Sequence, residues 1–373
     1  MKTFRVLSLM LLFLIVPSLL FAQRPLSGEV RVSTDSRELQ QFPHVATNRT
    51  GEFVVTWVVT HPNNDETSLR AVRFKANGTP ATGELLIADQ ALDLAANSAV
   101  AMMDDGSFVV VFPDLDLATP ALMARWYGPD GHPDGEDVLV TRNWSPDFSI
   151  STQGDGGFVV VWEGSAPSVR ARVFAPSHAG GSEIVIDPAG TDPVVAVGPQ
   201  GAFVVAWRNG NIVARRFTPQ GGAATDRFVV ANVTTPQPLH IAKDESGNFL
   251  IVWGTGPTVF GQRYDADTHR IGGLLRLQAG GDYDMAMGGQ GNFVLVWEAP
   301  GTGPQDGTNV FARRFKSNGS PLGPQLRVNV RKLGFQEHPQ VGIGADGGFI
   351  VVWDSSAPDR SFSNIFDRRY LRK

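Results

Sequence analysis

Seven times this chain repeats one short pattern: a glycine, then phenylalanine, three small or aliphatic residues and an aromatic. The copies are Gly51 to Trp57, Gly106 to Phe112, Gly157 to Trp162, Gly201 to Trp207, Gly247 to Trp253, Gly291 to Trp297 and Gly348 to Trp353. Their phenylalanines, at 53, 108, 158, 203, 249, 293 and 349, lie 44 to 56 residues apart. Such a period marks a repeat architecture in which each unit buries its faces against the next. Apolar runs this short, bounded by glycine, read as strands covered on both faces.

Each motif has the same companions. A second strand follows it and always ends in Phe or Tyr: at Phe74, Tyr127, Phe174, Phe217, Tyr264, Phe315 and Tyr370. Three residues before that aromatic stand Ala71, Ala124, Ala171, Ala214, Gly261, Ala312 and, as the exception, Asp367. Alternation along a strand puts this column on one packed face. Asx-Gly or Gly-Gly turns then lead to a further strand, as at Asn77-Gly78, Asp130-Gly131, Gly221-Gly222 and Asn318-Gly319. Ahead of the motif a fourth strand carries Ala46, Ala101, Ser151, Ala196, Ala242, Ala286 and Gly342, small residues suited to crowding at an axis.

Four strands per unit and seven units predict an all-β, seven-bladed β-propeller. The expected blades are approximately 42–88, 97–141, 147–187, 192–232, 238–279, 282–329 and 338–373. The seventh unit lacks an outer strand of its own, whereas Ser27 to Val32 reads like Gly323 to Val328. Residues 27–33 are therefore expected to complete blade seven, close the ring and remove its open edges.

Residues 1–22, with Lys2 and Arg5 ahead of the apolar run Val6 to Val16, read as a cleaved secretory signal, leaving 23–373 as one domain. No later stretch is long and apolar enough to span a membrane. Loss of Lys2 and Arg5 moves the formal charge from -5 to -7, which offers no basic stripe for nucleic acid. The absence of cysteine rules out disulfides and thiol chemistry, so the core alone must hold an exported fold. These features favour a secreted or periplasmic bacterial envelope protein, expected to be a monomer.

Asp346-Gly347-Gly348-Phe349-Ile350-Val351-Val352-Trp353 and Val310-Phe311-Ala312-Arg313-Arg314-Phe315 carry a wider resemblance. Across the mature chain, the sequence resembles bacterial exported repeat proteins with Gly-Gly-Phe-Val-Val-x-Trp and Phe-Ala-x-Arg-Phe units, some of them large calcium-associated, adhesin-like chains. The resemblance implies a propeller-like adhesive or binding module. Calcium is the one cofactor it brings into view, and it carries no enzymatic residues.

Two places are candidates for function. In a four-stranded blade, the hairpins between the motif strand and its successor share a face with the links between blades. The long hairpins fall in blades six, seven, one and two, which become neighbours when the ring closes. They would raise a wall bearing His61, Asn64, Asp65, Asp306, Asn309, Phe335, Asp359, Arg360 and Phe362. The second candidate is the funnel at the axis, where His44, His240, Asp284 and His338 would stand with Asp147, Asp192 and Asp282.

The motif tryptophans read as core; Trp126 and Trp144 fall outside that pattern and are the candidates for stacking on sugars. There is no Walker loop, HExxH, nucleophile elbow or EF-hand loop. The expected function is non-catalytic binding of a protein or glycan through one face. A carbohydrate-active hydrolase with its acids at the funnel is the alternative, and a purely structural envelope module the third.

Overall fold

The computed structural model describes residues 25–34, 38–61, 66–89, 98–115, 119–152, 154–233, 238–278, 281–303 and 306–371. The expected signal at 1–22 lies outside them. The described residues form seven antiparallel four-stranded sheets. From the axis outward, blade one is Leu39–Thr47, Phe53–Thr60, Thr67–Phe74 and Leu85–Asp89. Blade two is Ala99–Met102, Phe108–Asp114, Ala121–Tyr127 and Val138–Thr141, and blade three is Phe148–Thr152, Phe158–Glu163, Val169–Phe174 and Ile184–Asp187. Blade four is Thr191–Val197, Phe203–Asn209, Asn211–Phe217 and Phe228–Ala231; blade five is Leu239–Lys243, Phe249–Thr255, Thr258–Tyr264 and Arg270–Gln278. Blade six is Tyr283–Met287, Phe293–Pro300, Thr308–Phe315 and Leu326–Arg327. Blade seven is Phe335–Ile343, Phe349–Ser356 and Ser363–Tyr370, with Val30–Arg31 as its outer strand.

The seven-bladed propeller and its closure by the N-terminal strand are thus present. Val30 pairs with Asp367 and Arg31 with Phe366, while Val32 N donates to Ile365 O and Leu26 N to Arg369 O. Each motif is the second strand of its blade, buried on both sides because neighbouring blades press on each face. Trp57, Trp162, Trp207 and Trp353 are essentially inaccessible. Truncating one of them to alanine would cost about 3–5 kcal/mol. In every blade the motif phenylalanine lies directly across the ladder from the aromatic that ends the next strand. Phe53 and Phe74 stack at 4.6 Å, and Phe349 and Tyr370 at 4.5 Å.

Blades are stitched to their neighbours by the residue preceding that terminal aromatic. Arg73 Nε donates to Gly106 O at 2.9 Å, Arg263 Nη1 to Ser317 O at 2.5 Å and Arg314 Nη2 to Gly347 O at 3.3 Å. Trp126 holds this place in blade two and does the same work by packing: it stacks on His178 at 4.3 Å and lies against Phe158 and Phe174. It is buried, which corrects its reading as a candidate for stacking on sugar. Inner strands have one unpaired edge on the axis, and side chains from the adjacent blade meet part of it. Ser151 Oγ accepts from Val197 N, and an Asp284 carboxylate oxygen accepts from Val341 N. The small column reflects this crowding, since a Cβ on Gly342 would lie 2.4 Å from Thr47 Cγ2.

Candidate functional site

Hairpins between the second and third strands do share a face with the blade links. Glu163 N donates to Asp147 O and Glu298 N to Asp282 O, tying the end of each second strand to the start of the same blade's inner strand. The hairpin is tight in blade four, where Asn209 pairs with Asn211, and tall in blades six, seven and one, where the ladders run to Pro300–Thr308, Ser356–Ser363 and Thr60–Thr67. Much of the expected wall is therefore continued β-ladder.

Several wall residues are committed to holding it up. Asn309 is buried and accepts from Asn329 Nδ2 at 2.7 Å, so it stands inside the wall. His61 Nδ1 lies 2.7 Å from Glu38, Asp306 closes its own turn through Gly303 N, and Asp359 caps Ser361. Arg360 makes two hydrogen bonds to Glu337, at 2.9 and 2.8 Å, and its guanidinium sits 3.7 Å from the Phe335 ring centre. Phe362 is exposed at 41%. Asn64 and Asp65 lie outside the described residues. Trp144 is half-buried against the core between blades two and three and, being partly exposed, keeps an edge toward solvent.

At the funnel mouth two columns meet. One, as expected, starts the inner strands: Phe42, Asp147, Asp192, Pro238, Asp282 and His338 among the described residues. The other was not anticipated: it is the residue directly after the motif aromatic, which brings Glu163, Arg208, Glu298 and Asp354 to the same rim. The sequence signal existed, because this position is charged in blades three, four, six and seven only; counting the tryptophan as scaffold hid its neighbour. Phe42, Asp192 and His338 have positive φ (55°, 50° and 51°), each precedes proline, and the ladder shifts register there. The displaced N–H groups need acceptors, and the second column supplies two: Glu163 accepts from Asp192 N at 3.2 Å and Asp354 from Phe42 N at 3.3 Å.

These groups perturb one another. His338 Nδ1 lies 2.6 Å from Asp354, which is wholly buried. Burial pushes the imidazole down, but the hydrogen bond and charge of Asp354, with Asp282 and Glu337, outweigh it and raise His338. Burial, then the charges of Asp282 and Glu337, push Glu298 up to about 7. Across the mouth, burial and the neighbouring Asp192 raise Asp147. Burial also raises Glu163, with the nearby charges of Asp147 and Asp192 adding to it. Asp147, Glu163 and Asp192 bring one carboxylate oxygen each within 4.8 Å of one another, a donor set that suits a hard cation. Arg208 Nη1, 2.6 Å from Asp192, already supplies positive charge there.

Below the rim opens a cavity of about 480 Å³, walled by Phe42, His44, Phe148, His240, Tyr283, Asp284 and His338. Four expected funnel residues, His44, His240, Asp284 and His338, thus meet in one chamber with Asp282 at its edge, while Asp147 and Asp192 remain on the rim. Burial pushes Asp284 up, but the hydrogen bond and charge of His240, with the N–H groups of Val341 and Met285, outweigh it and hold Asp284 below its ordinary value. Burial drives His44 down to about 4, so it is neutral at physiological pH. Two further cavities, about 360 and 400 Å³, share walls along the axis and reach the opposite face. There Arg49 Nη2 of blade one lies 2.5 Å from Glu245 Oε1 of blade five, a chord across the mouth.

No protein-family model and no curated protein matches the sequence. Solved structures do resemble the fold. A protein of unknown function from Dyadobacter fermentans shares 12% identity over 94% of this chain and 99% of its own, with TM-score 0.51. A GH93 α-L-arabinofuranosidase of Fusarium graminearum, in complex with arabinobiose, shares 9% over 93% and 98%, with TM-score 0.51. The WD40 domain of Toxoplasma gondii coronin shares 9% over 94% and 88%, with TM-score 0.53. At these identities the likeness is one of fold. Among the described residues no helix is long and apolar enough to cross a membrane.

Proposed function

We propose that this propeller is a non-catalytic binding module, exported to the bacterial envelope or beyond, that receives a protein segment or a glycan at the funnel mouth on its hairpin face. The observation that carries this reading is the 480 Å³ axial chamber opening beside the tall hairpins of blades six, seven and one. Chambers of this size on a rigid scaffold, lined by aromatic rings and a few fixed polar groups, are the usual form of a ligand site. The resemblance to adhesin-like repeat proteins points the same way. Calcium, if the protein takes it, is best suited to the Asp147–Glu163–Asp192 trio.

The test is a pull-down from envelope extracts together with a glycan array, comparing residues 23–373 with Asp282→Asn and Phe362→Ala variants. The reading expects a ligand whose capture falls several-fold in both variants. Capture unaffected by either would overturn it, and no ligand for any form would favour the structural module.

A glycosidase is the second reading, favoured by one observation: Glu298, held at about 7, stands beside Asp282 as a protonatable acid next to a carboxylate. The GH93 neighbour makes arabinofuranosides a sensible first substrate panel. Turnover abolished by Glu298→Gln would establish hydrolysis; its absence across the panel would leave the binding module.

A further inference from the structure

We infer that the group admitted by the funnel is a cation: the ammonium of a lysine or the guanidinium of an arginine on a basic protein segment. This rests on the reading of the funnel as a binding site and names its ligand class.

Charge complementarity carries the inference. Deep in the chamber stands Asp284, buried, whose carboxylate is kept ionised by His240 and backbone N–H groups. Beside it His44 is neutral, and the imidazoles of His240 and His338 are committed to Asp284 and Asp354. Above, the rim carries Asp147, Glu163 and Asp192 on blades three and four, and Asp282, Glu298 and Glu337, with Asp354 behind them, on blades six and seven. Two guanidinium groups answer them among the described residues, and both are committed: Arg208 to Asp192, and Arg360 to Glu337. A narrow mouth with one sign of charge in low-dielectric walls focuses the field on whatever enters. The partly exposed rings of Phe42 and Phe148 line the same chamber, Phe42 against His338, with Tyr283 buried behind them against His240, so a cation stripped of water would meet aromatic surface. A neutral sugar would find hydrogen bonds here but would relieve none of the surplus charge, and an anion would be repelled.

The pH dependence has a definite sign. Glu298 is faced by Asp282 on its own blade, by Glu337 and His338 on the start of blade seven, and by Asp354 and Arg360 beyond them. A bound cation favours ionised Glu298, so binding and proton release are linked. His338, raised by Asp354, loses its own charge as pH climbs and ceases to compete. Both effects tighten binding of a cation between slightly acid and slightly alkaline solution.

Fluorescence anisotropy tests this with four labelled peptides, Gly-Ser-X-Gly-X-Ser-Gly, with X as Lys, Arg, Gln or Glu, against residues 23–373 in low salt. The Lys and Arg peptides should bind at least ~10-fold more tightly than the Gln peptide, and the Glu peptide least. Affinity for the cationic peptides should rise several-fold from about pH 6 to about pH 8, and Glu298→Gln should flatten that rise. Asp282→Asn, at an exposed position that the fold does not depend on, should weaken cation binding while leaving thermal unfolding unchanged. Lys and Gln peptides binding alike would overturn the inference. If a glycan is then captured and the funnel variants release it, the funnel reading stands and the cation does not; if the funnel variants alter no binding at all, both fall.

Discussion

Asp367 occupies the column that holds alanine or glycine in the other six blades, and the fold gives it almost nothing in return. It is 2% exposed, one carboxylate oxygen has no hydrogen-bond partner, and Arg369 Nε approaches only to 3.9 Å. Burial pushes its pKa up to about 7, partly offset by Arg369. The folded state therefore binds a proton more readily than the unfolded chain does. Stability on this account is greatest below about pH 4 and is lost as pH rises to about 7, a swing of about 4 kcal/mol if this group acted alone. Asp367→Ala should restore the pattern of the other blades. We expect it to stabilise the protein by about 1–3 kcal/mol at pH 8, less at pH 5, and to flatten the slope between them. Chemical denaturation at the two values measures this; a destabilised variant at pH 8 would show that Asp367 has a compensating partner.

The strand that faces Asp367 is short, yet the ring depends on it. Val30 and Arg31 pair with the third strand of blade seven, while Leu26 and Val32 extend the contact at either end. Deleting residues 25–34 would bare the edge of Ser363–Tyr370 and uncover the core beside Val32. An open edge of eight residues is a template for a second copy. We expect a fall of several degrees in the midpoint of thermal unfolding and a concentration-dependent dimer, measured by calorimetry and light scattering. A monomer with an unchanged midpoint would show that the segment is dispensable.

This element was legible in the sequence because outer strands share a pattern, and Ser27 to Val32 matches Gly323 to Val328. The motif strands were legible for the same reason: seven copies average out local ambiguity. The rim was only half legible. Its first column follows from counting back along the inner strands, but Glu163, Glu298 and Asp354 gain their meaning from a contact with the inner-strand column, and in Glu163 and Asp354 it crosses to the next blade, which the pattern within one repeat does not encode. Asn309 was misplaced for the converse reason. Its position in a tall hairpin is readable, whereas the Asn329 amide that draws it inward comes from the following link.

In the whole molecule the seven units are alike in their cores and unlike at the two ends of the axis. The hairpin face is acidic and open; the opposite face is crossed by Arg49 and Glu245. Both side chains are about half exposed, so their ion pair should contribute at most ~1 kcal/mol. Glu245→Ala is expected to leave the unfolding midpoint within about 2 °C of the parent, as a melting curve will show, since a domain of this size moves only a few degrees per kcal/mol. Its importance is geometric. The pair divides the opposite mouth at its surface, while the cavities behind it share walls from one face to the other. The two ends of the axis are therefore unequal doors: one stands open, and the other is latched by a single exposed contact that costs little to undo.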